Sequence, residues 1–172
     1  MGEWLNTGPQ PGRSDILMQE EIFGTRDRAY SAWHRRGSTR RFIGIDSAQL
    51  LAMIDLDAAL YVEYDNGTKE PLALIETALD VGQRHKSATV TKKLARRAGV
   101  PCYCVLYQPA RHANPADSRW RDIRQFRVRR MWPRPEKEWR VLTPQEWADA
   151  LIKIRAWSAK RLDLEAANDD TY

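Results

Sequence analysis

The chain is poor in cysteine, histidine and glycine, and has no long apolar run. Only two of its 172 residues are Cys and three are His. Two thiols cannot build a disulfide scaffold or a four-thiolate zinc site, and they suit a reducing, cytoplasmic setting. His34, His85 and His112 are scattered, with no HxxxH or HxH spacing for zinc. The nine glycines form no phosphate loop, dinucleotide fingerprint or GxSxG elbow. No apolar stretch approaches the roughly 18 residues that a membrane span needs, so no membrane partner is expected. The opening MGEWLNTGPQPGRSD lacks a basic segment followed by an apolar one, and does not read as a signal peptide.

What is present is an uneven charge. The net charge is +5, yet residues 1–80 carry 8 Lys/Arg against 13 Asp/Glu, a balance of −5. Residues 81–172 carry 20 against 10, a balance of +10. A basic half of this kind suits a polyanionic partner. The ordinary alternative is an Arg-rich surface that binds nothing.

The length suits one domain, with 42% hydrophobic residues to fill its core. Residues 1–14 read as a loose tail, 15–162 as a single domain and 163–172 as a fraying end. A helical pattern covers Ser14–Arg36, and Ser47 caps a short helix through Leu50. Alternating β-formers predict a strand over Ala59–Tyr64, Asp65-Asn66-Gly67 a turn, and Pro71–Thr77 the returning strand of a hairpin. Ser87–Ala98 reads as a helix with Val90, Leu94 and Ala95 inward, closed by Gly99. Val100–Tyr107 is an apolar run suited to a buried strand, with Cys102 and Cys104 as small core residues on one face. A polar loop over Gln108–Arg119 then leads to the half-exposed strand IRQFRVRRM. Thr143-Pro144-Gln145-Glu146 carries the residues of a capping box, opening a helix to about Arg161 that buries Trp147, Leu151, Ile154 and Trp157. The order predicts an α/β fold, a central mixed β-sheet flanked by helices.

The stretch Ile54–Lys86 carries the most chemistry. Asp55 and Asp57 stand at the mouth of the first hairpin strand and Glu76 near the end of the second. Paired carboxylates on adjacent strands are what Mg²⁺ accepts, completing its shell with waters and phosphate oxygens. Equally, Asp before a strand is a common turn former, and surface glutamates are ordinary. Lys92, Lys93, Arg96 and Arg97 share one helix face. Residues 111–140 hold ten Lys/Arg against four Asp/Glu, interleaved with Trp120, Phe126, Trp132 and Trp139. Cations with aromatics suit nucleic acid, through phosphate pairing and base stacking. The plainer alternative makes the aromatics core and the arginines a solvated strand face.

The segments IDLDAALYVEYD, PLALIE and KKLARRAGVPCYCVLY, with SAWHRR upstream, resemble the core of the PD-(D/E)xK nuclease superfamily, notably its small phage and prophage members. The resemblance spans about residues 30–130 and implies a restriction-endonuclease-like core with Mg²⁺- or Mn²⁺-dependent nuclease activity. It places the metal ligands at Asp57 and Glu76, with Asp55 as second choice and Glu20 or Glu21 as a helix-borne acid. The motif's lysine, two residues past the glutamate, is Ala78 here. Two expectations follow. In one, Lys86 has taken over that role, with Gln83 holding the attacking water. Lys92, Lys93, Arg96, Arg97, Arg127, Arg129 and Arg130 then hold the substrate strand, DNA before RNA. In the other, the site is inactive and the fold binds nucleic acid or a protein as a phage or mobile-element accessory factor. Self-association as a homodimer, or a structural role in which the acidic and basic halves assemble, is left open.

Overall fold

A computed structural model describes Ala29, Trp33 and residues 36–169. Most of the helix expected over Ser14–Arg36, with Glu20 and Glu21, lies outside them, although Ala29 and Trp33 are both helical. The chain divides into two units after Asp55. In the first, helix α1 (Arg36–Leu50) bends at Gly44, whose φ of 78° is open to glycine but costly to other residues. Among its described side chains Thr39 and Ala48 are buried, and Ser47, expected to cap a short helix of its own, instead lies inside α1, which runs on to Leu50.

The second unit is a five-stranded sheet whose strands neighbour one another in chain order, with two helices. Strands β1 (Ala58–Glu63) and β2 (Lys69–Leu79) form the expected antiparallel hairpin. Its turn closes at Gly67 (φ 79°), and the Asn66 side chain accepts the Thr68 N–H at 3.0 Å. Helix α2 (Thr89–Ala98) crosses over to β3 (Cys102–Asn114), which runs parallel to β2. Gly99, at φ 70°, ends α2 in the left-handed conformation and donates to the Arg96 carbonyl. Strand β4 (Asp117–Trp132) returns antiparallel to β3, and the three-residue β5 (Arg140–Leu142) pairs with β4.

Two expectations for the strands and α2 need correction. The segment Gln108–Arg119 is not a polar loop, because β3 continues to Asn114 and β4 begins at Asp117. Breaks in register at Gln108/Pro109 and on both sides of Ala113 carry Pro109 through the pair. On α2 the buried residues are Thr91 and Ala95, whereas Val90 and Leu94 are exposed. The inner face is rotated by one residue, which brings a hydroxyl to the sheet.

Helix α3 (Pro144–Asp169) starts at the predicted capping box. The Thr143 N–H donates to Glu146 Oε2 at 2.7 Å, and the Glu146 N–H to Thr143 Oγ1 at 3.2 Å. The helix runs past the expected end and buries Trp147 and Ile154, but leaves Trp157 exposed. Trp147 and Ile154 pack with Ala73, Ile75, Tyr103, Val105 and Val128 on one face of the sheet. On the other face, Ala95 and Val100 meet Leu74 and Cys102. Each fully buried Val or Leu contributes about 1.5–3 kcal/mol, so the clusters on both faces hold the sheet between its helices. The Ser158 hydroxyl donates to the Leu72 carbonyl at 2.7 Å and locks α3 against β2.

Candidate functional site

Glu76 lies on β2 and is only 4% exposed. A buried carboxylate is costly unless both oxygens find donors. One donor is Lys86, whose Nζ stands 2.7 Å from Oε1. The other is the Thr91 hydroxyl, 2.7 Å from Oε2 and itself buried. Strand, loop and helix thus each contribute one member of a single cluster.

Asp57 precedes β1, one step beyond the paired residues Ala58 and Ile75, where the hairpin register sets it beside Glu76. Its Oδ2 accepts the Thr77 N–H at 2.7 Å and the Thr77 hydroxyl at 3.1 Å. Burial disfavours the Lys86 ammonium, but the hydrogen bond and charge of Glu76, with the charge of Asp57, outweigh it and hold its pKa above the usual lysine value. Glu76 and Asp57 therefore both act on Lys86. Asp55 is the last residue of the first unit, and the cluster is built from the second unit alone.

Beneath the cluster, cross-strand register continues the row. Glu76 pairs with Cys104, and Cys104 with Arg129, so all three share the α2 face. Burial pushes the Cys102 thiol up to about 11 and raises that of Cys104, so both cysteines stay protonated core residues. The next row is Ala78, Leu106 and Arg127. Arg127 binds Asp80 through Nε at 2.8 Å and Nη2 at 2.6 Å, and also donates to the Gln83 carbonyl at 3.0 Å. Trp139 lies against the guanidinium groups of Arg127 and Arg129, 5.3 and 4.6 Å from its ring centre, and donates to the Arg84 carbonyl at 3.1 Å. The buried Nε of Arg129 has no hydrogen-bond partner among the described residues.

The remaining sequence candidates divide clearly. Lys86, Lys92, Lys93 and Arg96 line one groove of about 420 Å³, with Met131 in its wall. Arg97 is exposed and does not line that groove. The Gln83 amide is engaged within its own loop, accepting the Val81 N–H at 2.7 Å and donating to the Leu79 carbonyl at 2.8 Å. Arg130 donates to the Arg134 carbonyl at 3.1 Å and faces Glu136 at 3.6 Å. Arg127 and Arg130 thus already have partners within the fold.

Sequence reasoning missed Thr77, Thr91, Asp80 and the covering role of Trp139. Thr91 had one signal: it stands four residues before Ala95, on the same helix face. Asp80 and Arg127 are 47 residues apart and had none.

Among the described residues, no three His, Cys, Asp or Glu side chains gather into a ligand set. Mg²⁺ itself asks for only one or two carboxylates, keeping several waters and taking the rest of its shell from phosphate; here both oxygens of Glu76 and Oδ2 of Asp57 are engaged within the fold. Comparison with family models, curated proteins and solved structures finds no match to the chain. No helix among the described residues is long and apolar enough to cross a membrane.

Proposed function

We propose that the chain is a Mg²⁺-dependent phosphodiesterase acting on nucleic acid, through a PD-(D/E)xK-like site whose lysine is Lys86. The observation that carries this reading is the Glu76–Lys86 contact at 2.7 Å, with Asp57 acting on the same ammonium and a groove lined by Lys92, Lys93 and Arg96 alongside. Asp57 and Glu76 would hold the ion. When bound, Mg²⁺ supplies a Lewis acid at the scissile phosphate and lowers the pKa of an attacking water. Lys86 orients that water and offsets the negative charge that builds on phosphorus. Thr91 fixes the rotamer of Glu76, and the Gln83 loop fixes the position of Lys86. Lys92, Lys93 and Arg96 hold the phosphates that flank the reacting one.

A second reading is favoured by two features: Ala78 in the lysine place, and a Glu76 with both oxygens already bonded. In that reading the same groove binds nucleic acid and cleaves nothing. A nuclease assay with Mg²⁺ and Mn²⁺ separates the two. Single- and double-stranded DNA and RNA are tested against wild type, Glu76→Ala and Lys86→Ala, with circular dichroism confirming that each variant folds. Cleavage by wild type alone supports hydrolysis. Binding without cleavage in either metal leaves the binding module.

A further inference from the structure

The opposite face of the sheet carries a cavity that the proposed cluster does not use. It encloses about 480 Å³, within the range of small-molecule sites. Its walls include Tyr103, Arg130, Arg134, Lys153, Ile154 and Trp157, closed by two prolines. Tyr103 and Ile154 are buried members of the α3-side core, so the floor is apolar and set by rigid elements. Glu76, by contrast, is bonded to α2 on the other face.

The chemistry of these walls is two-sided. Glu136 faces Arg130 at 3.6 Å and Arg140 at 3.4 Å. Arg134 and Lys153 form no ion pair with any described residue, so two cations remain for a ligand. Arg134 has φ 52°, in a left-handed region that L side chains rarely adopt, and its carbonyl is held there by the Arg130 Nε at 3.1 Å. Trp157 is 46% exposed; the Arg161 guanidinium stacks on one face of its ring, 4.9 Å from the centre, and the remaining ring surface is offered to the cavity. A bare inorganic anion would leave that ring and the apolar floor bare, and a neutral ring would leave both cations unanswered.

We propose that this cavity binds a nucleoside phosphate, the base against Trp157 and the phosphate on Arg134 and Lys153. The site is independent of phosphodiester hydrolysis and stands if that reading fails.

Isothermal titration of the full chain with the four nucleoside monophosphates tests it, with adenosine and inorganic phosphate as the separated halves. Saturable one-site binding is expected, with adenosine and phosphate each at least about tenfold weaker than the nucleotide. Arg134→Ala with Lys153→Ala, and separately Trp157→Ala, should each weaken it by about tenfold or more. All three residues are exposed at least in part, so the fold is retained. Arg97→Ala, outside both this cavity and the α2 groove, should leave this affinity unchanged, while Lys92→Ala with Lys93→Ala reports any binding in the groove instead. The proposal is overturned by absence of saturable binding, by variants that bind like wild type, by inorganic phosphate binding as tightly as nucleotide, or by loss only in the Lys92/Lys93 variant.

Discussion

Arg127 clasps Asp80 with two hydrogen bonds of 2.8 and 2.6 Å, tying the end of β2 to the middle of β4. The same guanidinium holds the Gln83 carbonyl, three residues before Lys86. An ion pair one row along the sheet from the charge cluster therefore anchors the loop that supplies its lysine.

The Asp80 side chain is 2% exposed and that of Arg127 19%, so removing one partner strands the other's charge. Arg127→Ala should cost about 3 kcal/mol of stability, read from chemical denaturation. The Arg127 hydrogen bond, supported by Gly82 and Gln108 against the opposing effect of burial, holds the Asp80 carboxyl below its ordinary pKa. Its contribution is therefore complete above about pH 4 and declines as pH falls through the lowered folded value. Asp80→Asn should flatten this acid limb. An unchanged acid transition would show that the pair does not govern it.

Lys86 behaves in the opposite sense. Its pKa is raised in the fold, so its stabilisation is complete below about pH 10.4, the unfolded value, and is lost as pH rises through the higher folded one. Wild type should weaken in alkali more steeply than Lys86→Met. The double variant Glu76→Gln with Lys86→Met should be more stable than Lys86→Met alone, because no buried charge is left unpaired.

Thr91 donates to a carboxylate that has little access to water. Thr91→Val keeps the shape and removes the donor, at a cost of about 1–3 kcal/mol, while Thr91→Ser keeps the hydroxyl and most of the stability. If hydrolysis occurs, Thr91→Val should also lower kcat more than it raises KM. Equal melting temperatures for Val and Ser would remove Thr91 from the cluster's support.

Lys92, Lys93 and Arg96 line the groove beside Lys86. Replacing all three with alanine should weaken duplex binding and reduce the slope of log affinity against log salt by about 2–3. Arg97→Ala, outside the groove, should change the slope by less than about 1.

Short-range signals made much of this fold legible. Asn66-Gly67, Gly99 and the Thr143–Glu146 box each act within a few residues, and each forms the expected turn, helix end or helix start. Glu76 was singled out as a metal ligand and Lys86, only through the resemblance to the nuclease core, as a displaced lysine; the 2.7 Å bond between them was not foreseen. The far arms of β3 and β4 were not legible. Pro109 and Pro115 read as loop residues, and Arg111, His112 and Arg119 are exposed, which removes the alternation that marks a half-buried strand. Thr91 was obscured by Val90 and Leu94, apolar residues that the helix turns outward.

The outermost strands carry one more consequence. At one margin β5 is three residues long; at the other, the pairing of β1 is broken between Leu60 and Tyr61. Strand β5 covers only Phe126–Val128 of the sixteen-residue β4, so a second copy would meet the β4 arm before Phe126 rather than β5 itself. That arm carries Arg119, Arg121 and Arg124, which set like charges against any such copy, and crowding the chain to high concentration should not draw it into fibrils.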